Sequence, residues 1–374
     1  MGREFSSFGS DLKDHTAEAQ TGGRAGIGDK VRFFPPETPE EAAGRLLMIG
    51  WEGRESGDLR ALIDEFHPGG LIFFKRNYPL RPKQSDRPDL AAPGALQEML
   101  RLIQKYARKV TGRALLMAVD QEGGLVRRLP EPYFQLPSAR ELGLMGVRAA
   151  ESLARRAGRE LYESGFNLNL APVLDLDTAE GGYIGRRSFG GDPELVKECA
   201  LAFAAGLSAW GILACGKHFP GLGGAVQDPH KQTSEIDLPG EAVERAVDIF
   251  RALTEAGLPA VMTTHAYCPA LDQHNMATFS REIVRCLRQD IGFDGLLLTD
   301  DLEMGAVSLE ADPGPAAVKA VLAGHDLLLV CHRLEAVRAV YKAVLEAILN
   351  NQITQGHLIE SGLRLRRFLE RLPY

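Results

Sequence analysis

The chain has 374 residues, 45% hydrophobic and 25% charged, which is enough to bury a sizeable core and excludes global disorder. A net charge of −7 offers nothing to phosphate backbones or anionic membranes, so no nucleic-acid partner is expected. The five cysteines lie far apart and form no C-x-x-C, which argues against a zinc site or disulfide framework and for reduced core thiols.

Residues 1–35 are polar and glycine-rich with no apolar stretch of the secretory kind, and are read as a flexible leader. MGREFS fits the short M-G-x-x-x-S lipidation pattern, but a single lipid chain would anchor only weakly. No apolar run approaches the roughly 20 residues of a membrane span, and cytoplasmic residence is expected. At Thr38-Pro39-Glu40-Glu41 the residues fit a helix start. Thr38 caps, Pro39 suits the first helical position and Glu41 completes a capping box. A single domain is expected over 36–374.

From here apolar runs alternate with helix-like segments. The runs are Leu46–Gly50, Gly70–Phe74, Leu115–Asp120, Phe166–Asp175, Ile212–His218, Ala260–His265, Leu296–Asp300 and Asp326–Cys331. Each is short and nearly continuous in apolar residues, as parallel strands buried on both faces are. Pro193–Trp210 and Glu241–Ala256 carry helical patterns between them, and a last helical pattern runs to Arg371. Eight strand–helix alternations predict a single-domain α/β fold, a (β/α)8 TIM barrel, over a doubly wound open sheet. Residues 78–93 form a proline-rich surface connection.

The functional face of such a barrel lies at the C-terminal ends of its strands. Polar residues gather there: Asp120-Gln121-Glu122, Asp175, Lys217-His218, Thr263-Thr264-His265 and Asp300-Asp301. Burying each charge unpaired would cost several kcal/mol, so their convergence points to a polar ligand. Gly221-Leu222-Gly223-Gly224 lacks the Lys-Ser/Thr of a phosphate loop, and no compact metal-ligand set occurs. Carboxylates and cations around one pocket suit a sugar, whose hydroxyls both donate and accept.

Seven ordered segments carry a resemblance: GGLIFFKRN (69–77), VDQEGGLVRRL (119–129), NLNLAPVLDLD (167–177), IGRRSFGGDP (184–193), GKHFPGLGG (216–224), VMTTHAYCPALD (261–272) and GFDGLLLTDDLEMGAV (292–307). The chain resembles the single-domain β-N-acetylglucosaminidase branch of glycoside hydrolase family 3. The resemblance implies Asp300 as nucleophile, with Asp301 as its competitor if Asp300 instead caps the next helix. It implies His230 as acid/base, its tautomer and pKa set by Asp228. It implies Asp120, Arg128, Arg187, Lys217 and His218 as substrate-binding residues. Asp175 and His265 are read as supports; Gln121, Glu122 and Arg76 are read as structural.

Three positions depart from the family pattern. Leu222 replaces a second His, Pro229 stands inside the Asp228/His230 element, and Arg186 stands where an acidic or amide residue is common. The implied activity is retaining hydrolysis of terminal β-N-acetylglucosamine from recycled cell-wall (peptidoglycan) fragments. It acts on a small glycoside, requires no cofactor or metal, and the protein is expected to be a monomer. The loop from Gly221 to about Asp237 is expected to close on the substrate. Three readings compete with this one: a β-N-acetylglucosaminide phosphorylase, since a His acid/base repels phosphate less than a carboxylate, a β-glucosidase, and a sugar-binding protein that has lost turnover.

Overall fold

Each of the eight apolar runs contains a strand, and the strands close into one barrel. A computed structural model describes residues 38–53, 56–78, 92–178, 184–225, 234–236, 238–370 and 372. The leader 1–35, the proline-rich connection's 79–91, and Asp228, Pro229 and His230 lie outside the described residues. The barrel strands are β1 (Leu47–Ile49), β2 (Gly70–Phe73), β3 (Leu116–Val119), β4 (Leu168–Asn169), β5 (Leu213–Phe219), β6 (Ala260–Thr263), β7 (Leu296–Asp301) and β8 (Leu327–Val330). They pair in parallel in chain order, and β8 closes on β1 with Leu328 opposite Leu47. This is the (β/α)8 TIM barrel the apolar pattern predicts.

Successive strand residues point to opposite faces, and the apolar residues divide accordingly. Met48, Ile72, Leu116, Ala118, Leu168, Met262, Leu296, Leu298, Leu327 and Leu329 form one cluster, joined by Leu365 and Phe368 of the last helix. Leu47, Ile49, Leu71, Phe73, Met117, Val119, Val261, Leu297, Leu328 and Val330 form the other, with the apolar faces of the surrounding helices. The first fills the barrel; the second glues helices to it.

The strand expected over Phe166–Asp175 is far shorter. The ladder lapses after Asn169 because the register shifts there, Leu213 N–H donating to Asn167 O but Cys215 N–H to Ala171 O, and it resumes as an isolated bridge between Val173 and Lys217. The last helical pattern is two helices, Leu334–Leu349 and Gln355–Leu369. Asn351 between them has φ of 57°, a left-handed conformation Asn tolerates, and Thr354 caps the second. The Thr38 capping box is present, with Glu41 N–H donating to Thr38 Oγ1 at 3.2 Å and Thr38 N–H to Glu41 Oε2 at 3.0 Å. All five cysteines are free thiols. Among the described residues no helix is long and apolar enough to cross a membrane.

Candidate active site

Five strand ends deliver the charged residues to one face. Asp120 follows β3, and the chain turns back at once through a two-stranded hairpin, Gln121–Gly123 with Val126–Arg127. Gly123 and Gly124 make the turn at φ of 104° and 58°, which a side chain would resist. The Gln121 amide oxygen accepts from the Arg128 and Leu129 amides at 2.9 and 3.2 Å, pinning the return strand. Asn169, ending β4, clasps the Gln121 backbone through both ends of its amide. Gln121 thus does the structural work read from the sequence.

Glu122 does more than scaffold. Its carboxylate is buried, accepts two bonds from Arg187 at 2.9 Å each, and lies 2.6 Å from Lys217 Nζ. Burial works to raise its pKa, but Arg187 and Lys217 outweigh it and hold the group well below the usual carboxylate range. Lys217 Nζ also donates to Asp120 Oδ1 at 2.8 Å. Burial would lower its pKa; Asp120 and Glu122 raise it above the ordinary lysine value, so it stays charged. The second Asp120 oxygen faces Arg128 Nη2 at 3.7 Å. Arg187 and Lys217 therefore meet on Glu122, a residue read from the sequence as structural, and Lys217 links it to Asp120 and Arg128.

His218 follows Lys217 across a cis peptide bond. Its ring is buried, with Nδ1 2.6 Å from Asp175 Oδ2 and Nε2 3.3 Å from Arg187 Nη2. Asp175 Oδ1 accepts from the His218 and Leu222 amides. Asp175 reaches this position because the chain past Pro172 runs beside β5: Lys217 N–H donates to Pro172 O, and Leu174 N–H to Lys217 O at 2.6 Å. The Leu222 departure is accommodated, since its side chain is buried among apolar residues while its amide serves Asp175. Gly223 packs flat on Leu176, where a Cβ would meet the Leu176 carbonyl oxygen at 1.8 Å. Arg186 points outward and pairs at 3.5 Å with Glu141.

Asp300 stands at the end of β7, its Oδ1 accepting from the Asp301 amide at 2.8 Å. Burial pushes its pKa up, but the neighbouring His218 and Lys217, with the Asp301 amide, prevail and hold it below the ordinary aspartate value. The group is anionic at neutral pH. Asp301 is differently employed. Its Oδ1 accepts from the Glu303 and Cys331 amides at 3.1 and 3.2 Å, and its Oδ2 lies 3.2 Å from His332 Nε2. Glu303 accepts from the His332 amide at 2.6 Å and from the Arg333 guanidinium at 2.9 Å. Asp301 and Glu303 thus strap the β7 end to the β8 loop. The helix that follows starts at Met304 without a side-chain cap, so Asp300 does not cap it.

Beside β7, Phe74 offers a half-buried ring with Arg76 4.3 Å from its centroid, Arg128 at 5.5 Å and the His332 ring at 5.3 Å. Arg76 is structural as read, donating to the Trp51 and Cys331 carbonyls. Among the described residues no group of three or more His, Cys, Asp or Glu side chains could hold a metal ion. Asp228 and His230 lie outside the described residues; described chain resumes at Ser234–Glu235, which pairs with Ala266–Cys268 beyond β6.

Comparison with known proteins agrees with this geometry. The family model described as Glycosyl hydrolase family 3 N terminal domain matches residues 38–368. A β-hexosaminidase of Vibrio cholerae is 34% identical over 294 residues, covering 78% of this chain and 83% of that protein. A solved glycoside hydrolase family 3 β-N-acetylglucosaminidase from a Paenibacillus species superposes with a TM-score of 0.84 at 36% identity. That match covers 89% of this chain, which spans 62% of the Paenibacillus protein. A β-N-acetylhexosaminidase from Beutenbergia cavernae, 29% identical, superposes with a TM-score of 0.79 and is 98% covered. The chain belongs to glycosyl hydrolase family 3 and is a glycoside hydrolase built on that family's N-terminal barrel.

Proposed function

We propose that this chain is a retaining β-N-acetylhexosaminidase that releases terminal β-linked N-acetylglucosamine from cell-wall (peptidoglycan) recycling fragments. The observation that carries the chemistry is the contrast between two adjacent carboxylates. Asp301 is committed to backbone amides and His332, whereas Asp300 is kept anionic by surrounding positive charge. Asp300 attacks the anomeric carbon as the bond to the leaving oxygen breaks, giving a glycosyl ester. His230, held as imidazolium by Asp228, gives its proton to that oxygen. The neutral imidazole then takes a proton from water, which attacks the same carbon, breaks the ester and restores Asp300.

Asp120 accepts from the sugar's hydroxyls, while Lys217, Arg187, Arg128 and His218 donate to them, and Lys217 and Arg128 also hold Asp120 in place. The hexosaminide preference is supported by the similarity to the Vibrio and Paenibacillus proteins; the fragment class rests on the branch resemblance. The proposed setting is the cytoplasm, with the chain acting as a monomer on a small glycoside and without a cofactor.

The test is release from a chromogenic N-acetyl-β-glucosaminide, with and without phosphate, by wild type, Asp300→Ala and His230→Ala. Asp300→Ala should lose about ten-thousandfold or more in kcat. His230→Ala should lose most on poor leaving groups, because a phenolate needs little protonation. A rate that rises with phosphate and yields a sugar 1-phosphate identifies a phosphorylase instead. Sugar binding without cleavage of this substrate or the matching glucoside overturns the catalytic reading.

A further inference from the structure

His265, ending β6, is fully buried, and its two ring nitrogens are both engaged. Nε2 lies 3.0 Å from the main-chain oxygen of Asp301, and Nδ1 lies 2.7 Å from Thr278 Oγ1. Thr278 comes from outside the barrel, from the short turn Ala277–Phe279 that follows the strand Asp272–Met276. A carbonyl oxygen can only accept, so the Asp301 contact requires a proton on Nε2. Burial disfavours a doubly protonated ring and holds the His265 pKa below its ordinary value, with Asp300 and Asp301 opposing. A neutral ring carrying its proton on Nε2 leaves Nδ1 bare, and the hydroxyl beside it must supply the hydrogen bond.

Thr278 Oγ1 has other neighbours. It lies 2.9 Å from the Thr264 carbonyl and 3.3 Å from Thr263 Oγ1. Thr263 Oγ1 in turn lies 2.9 Å from His325 Nε2, and His325 Nδ1 lies 3.0 Å from the Ala320 carbonyl, to which it must donate. His325 is therefore an acceptor at Nε2, and Thr263 spends its proton there. Thr263 can accept from Thr278 but has nothing left to give it. The one free rotor in this buried chain is the Thr278 hydroxyl. It points to Nδ1 while His265 is neutral, and to the Thr264 carbonyl if the ring becomes a cation and donates from Nδ1.

We propose that Thr278 is a positioning residue for the nucleophile: it fixes His265 as the Nε2–H tautomer, whose bond to the Asp301 carbonyl holds the Asp301 backbone, and through it the neighbouring Asp300, in the attacking orientation. The inference rests on Asp300 being the nucleophile, but its structural half can be read without turnover. On the other side of its Cα, Asp301 donates its amide to Asp300 Oδ1, so the residue His265 holds is the one that steadies the Asp300 carboxylate. A ring flip or tautomer change at His265 would release the carbonyl and loosen the residue that bears the reacting carboxylate.

The experiment is nitrogen NMR of the His265 ring in wild type, Thr278→Val and Thr278→Ser, alongside kcat and KM on the chromogenic hexosaminide. Wild type should show the Nε2–H tautomer. Thr278→Val should show a mixed or Nδ1–H ring and lose about tenfold in kcat, with KM changed by less than about twofold. Thr278→Ser, which keeps the hydroxyl, should restore both. A wild-type ring protonated on Nδ1, or a Thr278→Val protein with unchanged tautomer and kcat, overturns the proposal. If Thr278→Val does not fold, the wild-type tautomer and the Thr278→Ser kinetics decide alone. A wild type with the expected tautomer but no cleavage of any β-glycoside overturns the catalytic reading and leaves the Thr278–His265 bond standing.

Discussion

Two buried ionic clusters sit at opposite ends of the strands, and they are wired differently. Asp326, just before β8, spends its whole carboxylate on scaffold: Arg364 on Oδ1 at 3.0 Å, Arg288 and the Leu297 amide on Oδ2 at 2.6 and 2.8 Å. Arg288 also donates to the Phe293 and Gly295 carbonyls, and Arg364 belongs to the last helix. That cluster ties helices to the starts of β7 and β8. At the other end Glu122 is as deeply buried, yet one of its two cations, Lys217, is shared with Asp120 and acts on Asp300. One network closes on itself; the other holds charge ready for something not yet present. Burial and ion pairing alone do not separate structure from function. The separation lies in whether the partners' remaining valences point into protein or into the pocket.

The sharpest way to break this comparison is to remove one carboxylate charge from each cluster. Glu122→Gln and Asp326→Asn should each cost about 3–5 kcal/mol of stability, because each strands buried guanidinium or ammonium charge. Only Glu122→Gln should also depress kcat/KM on the hexosaminide. Denaturant melts beside kinetics check this, and equal activity losses in the two variants would erase the distinction.

A smaller effect separates the clusters by pH. Burial pushes the His325 pKa down to about 4, whereas an unfolded histidine titrates near 6.5. The unfolded chain binds the proton more readily, so this contribution is full above pH ~6.5 and lost as pH falls toward 4. It amounts to about 3 kcal/mol. Stability measured at pH 7 and 4.5 should therefore fall in wild type and fall less in His325→Asn. His357 and His265, also lowered by burial, add to the wild-type slope in the same direction.

The smallest effect calibrates the rest. Arg338 and Glu65 form an exposed pair at 2.8 Å that belongs to neither cluster. Arg338→Ala should leave the thermal midpoint essentially unchanged, because solvent screens an exposed pair. A clear drop would mean that exposed pairs carry weight here and that the buried clusters are less special than argued.

Much of the barrel was legible because parallel strands buried on both faces leave a nearly unbroken apolar run, which no surface strand mimics. Legibility failed where a local irregularity overrode the pattern. A register shift at Leu170–Ala171 cut β4 short inside an otherwise convincing run, and Asn351 split a helical pattern whose periodicity continued across it. The short hairpin at Gln121–Arg127 and the strands at Ala266–Cys268 and Asp272–Met276 were not foreseen, since these segments carry no continuous apolar run. In the site, the charged residues at strand ends could be picked out singly, but their pairings could not. Nothing local in the sequence says that Glu122 holds Arg187, 65 positions away, or that Thr278 reaches back to His265. The VDQEGG and TDDLE strings held the only signal: more carboxylates than one reaction needs.

That surplus has a consequence for redesign. Asp301 and Glu303 lash the tip of β7 to Cys331, His332 and Arg333, so the two strand tips form one transplantable cassette. Moving the carboxylate we propose as nucleophile by a single position, or grafting β7 into another barrel without its β8 counterpart, would untie the knot that keeps the neighbouring aspartate occupied. A chimera that imports residues 300–303 together with 331–333 should keep the reactive group's address; one that imports the first stretch alone should leave two aspartates competing for it.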